Sequence, residues 1–353
     1  MTHRLLAVTL AMVLAGTATF GVAVAAAQAG DAPQALWIRG AGATFPAPLY
    51  NKWIEVYRAE HPTVSIMYDA VGSGEGISRF VTGSVDFGAS DVRLTDAQRA
   101  MVAGGVITVP ATAGMVVLAY NLPGVTGVLK LPRDVYAEIF AGTLKRWDDP
   151  RIADANPGAS LPHRDIVIVA RQDSSGTTAA FTSHLAAISP AWSQQGLSVG
   201  KLIEWPGNAM LARGNEGVAS RIKMSEGSIG YVEYGFAKRL DLPVAALQNK
   251  AGRYVMPTEP AGQAALAETS AGGDGDPGMT LLNPSGADAY PVVTYSWLLL
   301  YRNYADAAKG ATVRDFVTWG LTDGQRLAAD MGYLRLPEEV VDLGRKALAD
   351  LGS

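Results

Sequence analysis

From Asp31 onward, short apolar runs alternate with stretches whose apolar residues recur every three or four positions. The first pattern is that of buried strands, the second that of helices with one buried face. ALWIRGAGATF (35–45) reads as a strand entering a glycine-rich turn. PAPLYNKWIEVYRAEHP (46–62) then places Leu49, Trp53, Val56 and Tyr57 on one helical face. Pro46 is tolerated at that helix start, where no intrahelical N–H is needed. TVSIMYDAV (63–71) is a second strand, GSGEG (72–76) a turn, ISRFVTG (77–83) a short helix, and SVDFGASD (84–91) a third strand with its exit loop. Thr95 caps a helix over 95–105, and VITVPATAGMVVLAYN (106–121) is a long β-like run.

A second series begins near Pro123. PRDVYAEIFAGTLKRW (132–147) reads as helix and turn, DIVIVA (165–170) as a buried strand, and TAAFTSHLAAI (178–188) as a helix. GISRFVTGSVDFGAS (76–90) and GVASRIKMSEGSIGYVE (217–233) share a glycine turn, a short helix with Ser-Arg, a Gly-Ser turn and a strand. This is either one supersecondary unit used twice or a chance likeness of two α/β segments. Residues 257–291, with SAGGDGDPG (270–278), read as a long surface connection with one short helix around Gly262–Glu268. YPVVTYSWLLLYR (290–302) is a late strand, and 312–348 is helical. Strands separated by helices predict an α/β chain with mixed, largely parallel sheets. If the late strand rejoins the first strands, the chain crosses twice, near Val109–Tyr120 and Tyr290–Tyr301. The expected division is one lobe of 31–112 with 294–353, another of 113–293, and a ligand cleft between them.

Composition narrows the class. The chain has 353 residues, 48% hydrophobic and 18% charged, and a net charge of −4. That is enough chain for two cores, and the charge argues against a nucleic-acid surface. His3 and Arg4 precede LLAVTLAMVLAG and an alanine-rich tail, the pattern of a secretory signal over 1–27 cleaved near Ala27 or Ala29. Leu5–Ala27 is also long enough to span a bilayer, although Gly16, Thr17 and Thr19 interrupt it. No cysteine is present, so no disulfide or cysteine-borne lipid is expected. His61, His163 and His184 have no metal-binding spacing, and no metal or cofactor is expected.

Four loops, each after a strand-like run, carry the candidate chemistry: GAGATFP (40–46), GSGEG (72–76), GASD (88–91) and RQDSSGTT (171–178). Glycine lets backbone N–H groups approach a ligand, hydroxyls add neutral donors, and Arg171 supplies a planar permanent cation. Taken singly, Thr44, Ser73 and Ser175 read as helix caps, and Arg171 with Asp173 as a surface pair. Taken together, at the carboxyl edge of a sheet, they point to a small oxyanion. There is no G-x-x-x-x-G-K-[ST] loop and no G-x-S-x-G elbow.

These segments, with GSIGYVEY (227–234), resemble the phosphate-binding proteins of Pst-type ABC importers, from Gly40 to about Leu348. The resemblance implies a class II periplasmic binding protein fold with phosphate between two lobes. It implies contacts from Thr44 and the Phe45 N–H, from Ser73 and Asp91, and from Arg171, Ser175, Gly176 and Thr177, with Asp173 orienting Arg171. Glu75, an acid beside an anion site, is expected to face outward. The implied protein is a periplasmic monomer that hands phosphate to an ABC permease and its ATPase, and is not an enzyme. The alternatives are an exported phosphatase with Ser73 or Thr44 as nucleophile, or a receptor for sulfate or molybdate.

Overall fold

The computed structural model describes residues 35–207, 209–270, 281 and 283–352. The expected signal over 1–27 with its cleavage sites, and residues 271–278 of the SAGGDGDPG stretch, lie outside the described residues. The chain opens with β1 (Leu36–Gly42), α1 (Ala47–Glu60), β2 (Val64–Ala70), α2 (Ser73–Val81), β3 (Phe87–Ser90), α3 (Asp96–Ala100) and β4 (Val106–Asn121). It continues through β5 (Lys130–Leu131), α4 (Arg133–Phe140), α5 (Pro150–Ala155), β6 (Val167–Arg171), α6 (Gly176–Ile188) and α7 (Pro190–Gln194). Then come β7 (Met210–Ala212), α8 (Gly214–Met224), β8 (Ser228–Glu233), α9 (Tyr234–Arg239), β9 (Ala246–Gln248) and β10 (Tyr254–Val255). The chain closes with α10 (Glu259–Ser270), β11 (Val293–Tyr301), α11 (Ala307–Leu321) and α12 (Glu338–Ala349).

Eight strands form one mixed sheet in the order β2-β1-β3-β11-β4-β8-β6-β7. The order reads alike from either end. β1 lies between β2 and β3, parallel to both, and β6 lies between β7 and β8, parallel to both. The first trio comes from a β-α-β-α-β run and the second from the same run with one extra helix, α7, before its second strand, so the weak repeat noted in the sequence is one unit used twice. The middle is antiparallel. Val106–Met115 of β4 pair with β11, and Val116–Asn121 of the same strand pair with β8. β4 thus belongs to both half-sheets, which explains its sixteen-residue length and why Met115–Tyr120 are all buried. Pro110 sits in this central strand at the register shift opposite Ser296 and Trp297, where a missing N–H is tolerated.

Local differences from the expected pattern have plain causes. GSGEG is not a free turn: α2 begins at Ser73. On α1, Tyr50 and Ile54 join the buried face and Val56 is only half-buried, because the helix is covered over a wider arc than a single stripe. The 257–291 connection holds a twelve-residue helix, α10, whose Ala261, Ala265 and Leu266 are buried. The C-terminal stretch is not one helix. After Leu321 it passes through two 3₁₀ turns, takes a left-handed step at Gly332, and restarts behind Pro337. No helix among the described residues is long and apolar enough to cross a membrane.

Candidate functional site

The loops that follow β1, β2, β3, β6 and β7 meet at the carboxyl ends of their strands, the edge where ligands bind in open α/β sheets. From the first half-sheet come Thr44, Ser73 and Asp91, and from the second come Arg171, Asp173, Ser175, Gly176 and Thr177. All but Asp173 are nearly or fully buried, with Asp91 6% exposed and Arg171 3%. The two sides touch directly. The Gly176 N–H donates to Ser73 Oγ at 3.2 Å, the Gly74 N–H to the Ser174 carbonyl at 2.9 Å, and Asn215 Nδ2 to Thr44 Oγ1 at 3.0 Å. Gly176 must be glycine for this approach, since a Cβ there would lie 2.5 Å from the Asp91 Cβ.

Arg171 ends β6 and is held as a fork. Its Nε donates to Asp173 Oδ1 at 2.8 Å, its Nη2 donates to Asp173 Oδ2, and its Nη1 is buried without a partner among the described residues. Asp173 also accepts the Gly214 N–H at 3.0 Å. Burial raises the Asp173 pKa, but the Arg171 guanidinium and the Gly214 N–H outweigh it, and the net shift is downward. An ionised Asp173 therefore orients Arg171 and leaves one guanidinium nitrogen free. Behind them Ser175 caps α6, accepting the Thr178 N–H at 3.1 Å, so the positive end of a thirteen-residue helix opens at Gly176 and Thr177.

Asp91 is the opposite case. Its Oδ1 accepts from Ser296 Oγ at 2.7 Å, and its Oδ2 lies 3.4 Å from Ser73 Oγ. Desolvation pushes its pKa up to about 7, against the lowering pull of Ser296, Arg171 and Ser73. Near neutral pH this carboxyl can share a proton with a ligand. Ser73 Oγ accepts the N–H groups of Asp91 and Gly176 and has no histidine among its partners. Among the described residues no group of acids and histidines could hold a metal ion.

Every residue expected at the site lies at this edge, but Phe45 and Glu75 need comment. The Phe45 ring is core, packed edge-on to Tyr333, and its carbonyl accepts the Tyr333 hydroxyl at 2.7 Å, so only its backbone N–H is available to a ligand. Glu75 is half-exposed and lines a groove of about 1060 Å³ that Thr44 and Asp173 also line, with its Oε1 accepting from Arg79 Nε at 2.9 Å. Two participants went unseen in the sequence. Ser296 comes from β11, far along the chain, and nothing near it marks a site. Asn215 had a signal. GNEG (214–217) precedes the second repeat as GSGEG (72–76) precedes the first, and Gly72 and Gly214 both adopt positive φ, 95° and 67°.

The PBP superfamily domain matches residues 25–323. The phosphate-binding protein PstS of Pasteurella multocida is 39% identical over 87% of this chain and 88% of its own. The phosphate-binding protein PstS of Methanocaldococcus jannaschii is 37% identical over 90% of this chain and 87% of its own. Among solved structures, a high affinity periplasmic phosphate-binding protein bound with phosphate has a TM-score of 0.71 at 24% identity, covering 88% of this chain and 93% of its own. That last likeness concerns the fold.

Proposed function

From the premise that this chain belongs to the PBP superfamily and, within it, to the PstS phosphate-binding proteins, we propose that it captures inorganic phosphate between its half-sheets for an ABC importer. It is a solute-binding protein and makes or breaks no bond. The observation that carries the reading is Arg171, a buried guanidinium held by Asp173 with Nη1 unpartnered among the described residues. A buried guanidinium nitrogen without a partner calls for an acceptor, and an oxyanion supplies one.

In this reading Arg171, the hydroxyls of Thr44, Ser73, Ser175 and Thr177, and the N–H groups of Phe45, Gly176 and Thr177 donate to phosphate oxygens. Asp91 accepts from the ligand's P–OH. The lobes are 31–112 with 294–353, and 113–293, hinged where β4 and the approach to β11 cross. Ligand contacts from both sides make phosphate favour the closed arrangement. Residues 1–27 act as an export signal, so the mature protein works in the periplasm as a monomer, with a permease and its ATPase as partners. The test is calorimetry of ligand-free protein with phosphate, sulfate and molybdate, with small-angle scattering of the same samples. Tight binding of phosphate alone and a smaller radius of gyration with it are expected. Preference for another oxyanion would overturn the ligand, and identical scattering curves the closure.

A further inference from the structure

Asn215 fixes the direction of two hydroxyl groups in the cleft. Its side chain is fully buried near the start of α8. The Glu233 backbone N–H donates to Asn215 Oδ1 at 3.0 Å. A peptide N–H can only donate, so the amide cannot turn over, and its two Nδ2 hydrogens must face the other way. They meet Thr44 Oγ1 at 3.0 Å and Thr177 Oγ1 at 3.2 Å. The Asn215 backbone N–H adds a second bond to Thr44 Oγ1 at 3.2 Å. Thr44 Oγ1 thus accepts twice, which occupies both of its lone pairs. Its single hydrogen, and that of Thr177, find no acceptor among the described residues.

We infer that Asn215 is a positioning residue that sets Thr44 and Thr177 as hydrogen-bond donors toward a bound oxyanion. The inference rests on the reading of this cleft as a phosphate site. A hydroxyl can donate or accept, and a freely rotating one can meet an anion with a lone pair. An array polarised in advance loses less on binding. The orientation of the amide originates in one backbone N–H of β8 and passes to both threonines, with the Asn215 backbone N–H adding to it at Thr44. Thr44 comes from the first half-sheet and Asn215 and Thr177 from the second, so the Thr44 hydroxyl is set only when the two sides meet. The half-sheet repeat supports the role independently. Asn215 follows a positive-φ glycine at the start of the helix after an edge strand, as Ser73 does in the first half-sheet.

The test uses phosphate calorimetry on ligand-free protein. Asn215→Asp keeps the shape and the acceptor for Glu233, but offers an acceptor where Nδ2 donated, so both hydroxyls reverse. Asn215→Leu removes the side-chain donors without adding an acceptor, leaving Thr44 only the backbone N–H of residue 215; Asn215→Ser replaces it should the leucine variant not fold. Loss of one oriented bond to a charged ligand corresponds to roughly 10–100-fold in affinity. The leucine or serine variant should lose about that much, and the aspartate variant on the order of 10³-fold. With both threonines changed to valine, Asn215→Leu or Asn215→Ser should cost under about 3-fold, because no hydroxyl remains to orient. A residue that served packing alone would give equal losses in both backgrounds. That result, or wild-type affinity in Asn215→Asp, overturns the inference. Wild-type protein that binds no phosphate overturns the site reading itself, and this inference with it.

Discussion

Asp91 follows the last strand of the first parallel trio, and Asp173 follows the first strand of the second; both acids stand at the carboxyl edge of one sheet. Asp173 meets a cation and a backbone N–H, and its pKa goes down. Asp91 meets two serine hydroxyls in a desolvated corner, and its pKa rises to about 7. The half-sheets share a plan, but one delivers hydroxyls and a protonatable acid, the other a cation already balanced by its own acid. An acid beside an anion site thus has two workable states: neutralised by a partner, or ready to share a proton with the ligand.

The sharpest way to break the comparison is at Asp91. Phosphate can donate a P–OH to it, whereas sulfate above about pH 7, where Asp91 is ionised, would meet an acceptor with an acceptor. A site built around a ligand hydroxyl rejects the analogue without one by about 10⁴–10⁵. Asn at position 91 can turn an amide N–H toward sulfate, so at about pH 8, with Asp91 ionised, Asp91→Asn should reduce the phosphate-to-sulfate affinity ratio on the order of 10³-fold. Competition titrations giving equal ratios for both proteins would remove Asp91 as the discriminator.

A smaller effect is expected across the ion pair. Arg171→Ala should weaken phosphate binding by about 1.5–3 kcal/mol or more, and Arg171→Lys should not restore it, since the fork to Asp173 is lost. The alanine variant should also be less stable, because Asp173 is left without its cation. Adding Asp173→Ala should recover stability in thermal melts without recovering affinity in calorimetry. Recovery of both would mean that Arg171 acts only on Asp173.

The smallest effects are in stability against pH, and they have opposite signs. The folded-state pKa of Asp91 lies above its ordinary value of 3.8, at about 7. The folded protein therefore holds an extra proton between those values, and this contribution falls as pH rises from about 4 to about 7. Ligand-free Asp91→Asn should melt a few degrees above wild type at pH 8, with the gain vanishing toward pH 4. Asp173, shifted down, stabilises above the ordinary carboxylate range and loses that as pH falls through its lowered value. Asp173→Asn should melt below wild type at pH 7, with the gap narrowing in acid. Melting curves with the same sign for both variants would undo the contrast.

Much of this was legible along the chain because it depends on neighbours in sequence. Apolar runs gave β1, β4, β6 and β11, three- and four-residue spacing gave α1, and the glycine-hydroxyl loops after strands marked the edge where the candidate site lies. Arg171 and Asp173 are two residues apart, so their pairing was readable too. What the sequence by itself determined was therefore the α/β class and the loops that carry the candidate chemistry, with the small oxyanion they are proposed to suit. Tertiary structure alone decided the rest. Ser296 reaches Asp91 from 205 positions away, and Asn215 reaches Thr44 from 171 away. The pKa of Asp91 depends on desolvation by two half-sheets that meet only once folded. Hydrogen-bond direction and burial are properties of what surrounds a group, and here the surroundings come from the far half of the chain.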